Sequence, residues 1–260
     1  MLSARMLSGS ALDSFVTGVE LLSLDAGNTI IFIDHARVAV FLAKAGYAAS
    51  AEDLVRREGE AKRLLEDGLG HRQRWENDAL PGAASWGRML GTMFAQAGVD
   101  RARIPSLLAA LWIEHMELNL WWLVPPGLGE ALDAVRAAGV PVVVVSNSEG
   151  LLDELFEKRL HIAQHFDLVV DSGKVGIEKP DPRIWQIALS AYPTPPGKVL
   201  HLGDTYSTDI AGALPLGFRA ALIDPFSHYE GRHPETPRVT GVIDVAQAIV
   251  RTTSRRGPSG

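Results

Sequence analysis

Four short segments of this 260-residue chain end apolar runs on polar side chains. Asp25 follows Leu21-Leu22-Ser23-Leu24 and opens the turn Ala26-Gly27-Asn28-Thr29. Ser146 and Asn147 follow Val142–Val145. Lys179 stands in Gly176-Ile177-Glu178-Lys179-Pro180-Asp181-Pro182. Asp204 and Asp209 follow Val199–Leu202. Any one carboxylate of this kind could be a helix cap. Together, in this order, the residue types suit displacement at phosphorus. A carboxylate can attack a phosphoryl group and carry it covalently. A hydroxyl and a lysine can hold the equatorial oxygens, where transition-state charge collects. Further carboxylates offer the hard oxygen ligands that Mg²⁺ prefers.

The elements that must position these residues can be read from periodicity. From Leu128 onward, amphipathic helical segments alternate with buried strands at Val140–Val145, Asp167–Val170, Val199–Leu202 and Phe218–Ile223, with Val242-Ile243 as a candidate last strand. Such alternation implies a doubly wound parallel sheet with helices on both faces, an α/β fold. Residues 36–124 are helical in pattern: Asp34 reads as the cap of a first helix, followed by segments at Glu52–Leu69, Trp86–Ala97 and Pro105–Leu118. The expected division is a flexible tail at 1–19, a core from 20–35 and 125–251, a helical cap at 36–124, and a disordered tail at 252–260. A block spliced in after the first strand would lie above the strand carboxyl ends, where open α/β sheets bind ligands.

Composition narrows the function. The net charge is −6, 47% of residues are hydrophobic, and there is no cysteine. Enough apolar surface exists to fold the bulk of the chain. Cys-ligated zinc and disulfides are excluded. Mild acidity argues against a sequence-independent grip on nucleic acid. No apolar run has the length of a membrane helix. The expected setting is cytoplasmic, with a small phosphorylated molecule as partner and neither nucleic acid nor membrane. The sequence is silent on oligomeric state.

The order of the four segments resembles the haloacid dehalogenase-like (HAD) hydrolases. Leu24-Asp25-Ala26-Gly27-Asn28-Thr29 is similar to their first motif, Val145-Ser146-Asn147 to the second, Lys179-Pro180-Asp181-Pro182 to the third, and Gly203-Asp204-Thr205-Tyr206-Ser207-Thr208-Asp209 to the fourth. The helical block resembles the cap of the subgroup whose cap lies between motifs one and two. The resemblance implies a Rossmann-like core and a Mg²⁺-dependent hydrolase. Asp25 would be nucleophile and metal ligand. Thr29 would support the turn and Ser146 bind the transferred group, with the Asn147 amide nearby. Lys179 would orient Asp25. Asp204 would bind Mg²⁺ directly, and Asp209 through water or by pairing with Lys179.

One position departs from that pattern. Phosphatases of the superfamily have a second Asp two residues after the nucleophile, as proton donor to the leaving group; here the residue is Gly27. Its carbonyl can still face a metal, but it cannot be an acid, and lost acid–base help typically costs about 10²–10⁴-fold in rate. Three explanations stand. Another residue supplies the proton, with Asp34, His35, His71 and His115 as candidates. The substrate carries a good leaving group, such as an acyl phosphate. Or the reaction is not monoester hydrolysis. Gly203-Asp204 argues against metal-free dehalogenation. Phosphonate hydrolases of the superfamily use a cap lysine, but Lys62, in Glu60-Ala61-Lys62-Arg63, reads as a solvated surface residue. Retained phosphate and Mg²⁺ affinity with slow turnover, as in a regulatory protein, is the alternative from another class. Trp75, Trp86, Trp112, Trp121 and Trp122 read as the core of the cap, Arg72 and Arg74 as a solvated helix end, and His201 as a packed strand histidine.

Overall fold

A computed structural model describes residues 6–68 and 84–255. His71, Arg72, Arg74 and Trp75 lie outside the described residues. The chain divides into two units. The first comprises residues 1–31, 124–225 and 230–260. The second comprises residues 32–123 and 226–229.

The first unit is built on a six-stranded parallel sheet. Its strands are β1 (Leu21–Leu24), β4 (Val142–Ser146), β5 (Leu168–Asp171), β6 (Val199–Gly203), β7 (Arg219–Ile223) and β8 (Arg238–Val239), in the order β5-β4-β1-β6-β7-β8. β1, β4 and β6 are buried along their whole length, the signature of strands covered on both faces. In β1, Leu22 lies opposite Val142 and Leu24 opposite both Val144 and Leu202. The strand order reverses beside β1, so the carboxyl ends of β1, β4 and β6 sit together at a topological switch point. The helix Arg183–Ala191 buries Ile184, Trp185 and Ala188.

Three expectations for this unit change. Residues 9–16, expected within a loose tail, form helix α1 (Gly9–Val16), which buries Leu12 and Val16 and packs against the C-terminal helix. Val242-Ile243 is not a strand. It begins the helix Val242–Ser254, whose buried Val242, Val245, Ala246 and Ile249 follow a helical period. That helix continues past 251, where the second tail was expected. The last strand is instead β8, paired with β7 through Leu222–Arg238 and Ile223–Val239.

The second unit holds α2 (His35–Lys44), α3 (Ala51–Glu66), α4 (Ala84–Gln96) and α5 (Ile104–Glu117), plus a two-stranded ribbon of β2 (Phe32–Ile33) and β3 (Trp121–Leu123). Residues 32–35, expected with the core, belong here. Asp34 caps α2 by accepting from the Arg37 N–H at 3.0 Å, and Ser50 caps α3 by accepting from the Asp53 N–H at 3.0 Å. Leu42, Leu54, Leu90, Phe94, Leu108 and Leu111 form the apolar centre. Trp86, Trp112 and Trp121 box the His115 ring at centroid distances of 5.3–6.1 Å, with Trp86 in the core and the other two packed half-buried against it; Trp122, expected in the core, is exposed.

A charged network is also buried in this unit. Glu58 Oε2 lies 2.8 Å from His35 Nε2, and Oε1 lies 2.9 Å from Lys62 Nζ. Lys62 Nζ is 3.4 Å from His228 Nδ1. Lys62 is 4% exposed, which overturns its reading as a solvated surface lysine.

Candidate active site

Asp25 leaves the end of β1, where its N–H donates to the Leu202 carbonyl at 2.8 Å. The turn that follows is tight because the Ala26 carbonyl accepts from the N–H groups of Thr29, Ile30 and Ile31. Asn28, not Gly27, carries the left-handed backbone of this turn, with φ of 53°. The Asp25 carboxylate is held on both oxygens. Oδ1 accepts from Ser146 Oγ at 2.9 Å and from Lys179 Nζ at 2.6 Å. Oδ2 takes a longer bond from Thr29 Oγ1 at 3.4 Å.

Lys179 bridges two acids, its Nζ lying 2.6 Å from Asp25 Oδ1 and 2.6 Å from Asp209 Oδ1. A wide helical turn over Tyr206–Ile210 brings Asp209 back beside β6. There Oδ2 accepts from the Thr205 N–H at 2.9 Å. The approach depends on Gly203: a Cβ at that position would overlap the Asp209 carboxylate. Asp204 Oδ1 accepts from Thr205 Oγ1 at 3.2 Å.

The structure therefore brings together Asp25, Thr29, Ser146, Lys179, Asp204 and Asp209. Asn147 lies against the backbone of Lys179. Its Nδ2 donates to the Lys179 carbonyl at 2.9 Å, and its Oδ1 accepts from the Lys179 N–H at 2.7 Å. The amide fixes the backbone of Lys179, and one of its two N–H donors is used in doing so. Sequence reading missed Asp171, at the end of β5. Its carboxylate accepts from the N–H groups of Gly150, Leu152 and Gly173 and so ties down the loop after Ser146. The signal was the same as at Asp25, a carboxylate ending an apolar strand, but the strand runs one residue past the expected Val170.

Asp25 and Asp209 share the Lys179 ammonium with Asp204 close by, and burial and these charges together shift the titration of Asp25, Lys179 and Asp209. Burial pushes Asp25 up to about 7; Asp209 and Asp204 add to the shift and Lys179 opposes it. Burial also disfavours the charged form of Lys179, but Asp209 and Asp25 outweigh it and hold the ammonium above its ordinary range. Asp209 is held well below the usual carboxylate range, since Lys179 and the His201 bond outweigh burial. Ligand oxygens of Asp25, Asp204 and Asp209 all lie within 4.8 Å of one another. This donor set, all carboxylate and carrying excess negative charge, fits a hard divalent cation.

Of the residues considered as substitute acids, His71 lies outside the described residues, and Asp34, His35 and His115 belong to the second unit and have partners within it. Asp34 caps α2 and accepts from Trp122 Nε1 at 2.9 Å. His35 is bonded to Glu58. His115 Nδ1 accepts from the Leu120 N–H at 3.1 Å.

Residues 19–217 match the family model for haloacid dehalogenase-like hydrolases. The chain belongs to this family. The HAD-like hydrolase domain-containing protein 3 of Xenopus laevis is 31% identical over 174 residues, covering 66% of this chain and 62% of that protein. A phosphoserine phosphatase of Thermus thermophilus is 31% identical over 174 residues, covering 64% of this chain and 66% of that enzyme. The chain thus spans less than two thirds of the length of these curated relatives. Among solved structures, a putative HAD-hydrolase from Bacillus subtilis bound to magnesium shares the fold, with a TM-score of 0.60 at 14% identity over 89% of this chain and 98% of that one. The family is thus one described as hydrolases, and one of the relatives above is named as a phosphatase. No helix among its described residues is long and apolar enough to cross a membrane.

Proposed function

We propose that the chain is a Mg²⁺-dependent phosphatase acting on a small phosphorylated molecule through an aspartyl-phosphate on Asp25. One observation carries the reading: a buried carboxylate at the end of β1 is held 2.6 Å from an ammonium, with two further carboxylates within 4.8 Å. The Thermus relative's name, phosphoserine phosphatase, supports a small phosphorylated molecule as substrate class.

In the first step an Asp25 carboxylate oxygen forms a bond to phosphorus as the bond to the leaving oxygen breaks. Ser146 Oγ and Lys179 Nζ, which hold Oδ1 in the resting site, orient the carboxylate and offer donors to the transferring oxygens. In the second step water attacks phosphorus, the Asp25–phosphorus bond breaks, and the carboxylate and inorganic phosphate are released. Mg²⁺, held by the carboxylates of Asp25 and Asp204 and the Gly27 carbonyl, with Asp209 as a further ligand, would supply the positive charge that lets a carboxylate and a phosphate dianion approach. Lys179 supplies further positive charge from the chain itself. Gly27 provides no acid, so the proposal is for a leaving group that departs with little protonation, such as an acyl or aryl phosphate.

The glycine also supports a second reading, a phosphate- and Mg²⁺-binding protein with slow turnover. Hydrolysis of acetyl phosphate and of an aryl phosphate, with and without Mg²⁺, separates the two. Metal-dependent turnover that disappears in Asp25→Asn is expected. Absence of turnover on both substrates favours the binding protein, and halide release from a 2-haloacid insensitive to chelator would replace both readings.

A further inference from the structure

His201 is a buried titratable residue that the chemistry above leaves unused. It lies in β6 between Leu200 and Leu202 and is wholly excluded from solvent. Three elements surround its ring. From β1, Ser23 pairs with it in register and brings Oγ to 2.9 Å from Nδ1. From the helix Arg183–Ala191, Trp185 stands edge-on at 90°, with its Nε1 3.4 Å from the same Nδ1. From the turn after β6, Asp209 Oδ1 lies 3.5 Å from Nε2.

These contacts fix the tautomer. An indole N–H can only donate, so Nδ1 must accept from Trp185. The Ser23 hydroxyl, at the same nitrogen, then donates as well. The ring proton sits on Nε2 and points at Asp209. We infer that His201 is a positioning residue, whose Nε2–H holds Asp209 Oδ1 beside Lys179 and thereby keeps the lysine on Asp25. The Asp209 carboxylate is then pinned on both oxygens: Oδ2 by the Thr205 N–H, Oδ1 by Lys179 and His201. Without the imidazole, Oδ1 keeps only the lysine, and the carboxylate that anchors the lysine is fixed by the Thr205 N–H alone. Groups that orient a ligand carboxylate commonly matter by about 10–100-fold.

The inference rests on the phosphatase reading for its consequence but not for its geometry. Imidazole ¹⁵N–¹H correlation spectra of the metal-free protein are expected to show His201 protonated on Nε2; a proton on Nδ1 would overturn the assignment whatever the enzyme does. For turnover, His201→Leu removes the donor, and His201→Gln returns an amide N–H near the place of Nε2. With acetyl phosphate, His201→Leu is expected to lower kcat about 10–100-fold while KM changes less than about threefold, and His201→Gln to recover most of the loss. A wild-type kcat in His201→Leu, or a glutamine variant as slow as the leucine one, would sink the positioning role. Should the leucine variant not fold, the glutamine variant and the wild-type tautomer decide. A wild type with no Asp25-dependent turnover counts against the phosphatase reading alone, and the spectra still decide the geometry.

Discussion

Glu58 and Lys62 meet at 2.9 Å inside the helical unit, 3% and 4% exposed, one helical turn apart on α3. An ion pair so far from water is a poor source of stability compared with apolar packing, but breaking it is costly, because the surviving charge stays buried. Glu58→Ala is expected to destabilise the protein by about 3–5 kcal/mol in urea unfolding. The double change Glu58→Leu with Lys62→Met should cost clearly less than that single change. Equal losses in the two would mean that the pair is hydrated in solution.

The same carboxylate gives stability an acid limb. Burial alone would raise the Glu58 pKa; Lys62 and the His35 bond outweigh it and hold the carboxyl well below the usual range. A group depressed on folding releases its proton more readily in the native state, so stability rises with pH. Its contribution is complete above the unfolded value of about 4.3 and is lost as pH falls from there toward the folded value. The stability difference between wild type and Glu58→Gln should therefore shrink on acidification through that window. A difference that grows instead would place the charge elsewhere in the network.

Asp25 behaves in the opposite sense. Its pKa rises on folding to about 7, mainly through burial. The native state holds this proton where the unfolded chain has lost it, so the residue costs stability as pH climbs from about 4 to 7. Without metal, Asp25→Asn is expected to be more stable than wild type at pH 8 by on the order of a few kcal/mol, and nearly equal to it below pH 4. Added Mg²⁺ should raise the wild-type melting temperature and close the gap. A site that holds strain for function would show both effects; neutral behaviour at pH 8 would mean that Lys179 already compensates the three carboxylates.

The residues of the candidate site were visible in the chain for a simple reason. Leu21–Leu24 and Val199–Leu202 are apolar runs that stop at a carboxylate, and both strands are central and buried on both faces, so the run and its end are sharp. The elements that were not visible depend on partners distant in sequence. α1 buries only Leu12 and Val16, one turn apart, and becomes a helix face because the C-terminal helix covers it. Val242-Ile243 is β-branched and reads as a strand until Val245, Ala246 and Ile249 are counted with it. Lys62 sits beside Glu60 and Arg63, which suggests a solvated face. What buries it is Glu58, one turn earlier, and His228, 166 positions later. Asn147 was legible as a site residue but not its role, since that depends on the path of the loop carrying Lys179.

Gly203→Ala tests how closely the last motif is built. The added methyl would occupy the space of the Asp209 carboxylate, and that carboxylate cannot retreat without leaving Lys179. Overpacking of this kind costs about 1–3 kcal/mol. Activity should suffer more than stability, with kcat down by at least about tenfold. At Gly59 the same change meets the His228 ring, with the new Cβ 2.7 Å from Cδ2. It lies in the helical unit and should lower stability with little change in kcat. Equal effects of the two on kcat would argue against a distinct role for the Asp209 carboxylate.

Gly27→Asp asks whether the missing proton donor limits the substrate range. The backbone does not demand a glycine here, because the left-handed conformation belongs to Asn28 and the Gly27 φ is not positive. A carboxyl at this position would stand two residues after Asp25, where phosphatases resembling this chain carry their acid. If leaving-group protonation limits alkyl phosphates, their kcat/KM should rise toward the about 10²–10⁴-fold that a positioned acid contributes, while aryl and acyl phosphates change little. The quantity to measure is the alkyl-to-aryl ratio in variant and wild type under saturating Mg²⁺. A ratio that stays fixed, with both substrates still turned over, would show that another group already delivers the proton. A fall in both rates with weaker Mg²⁺ binding would instead mean that the glycine serves the metal through its carbonyl and that a side chain there disturbs it.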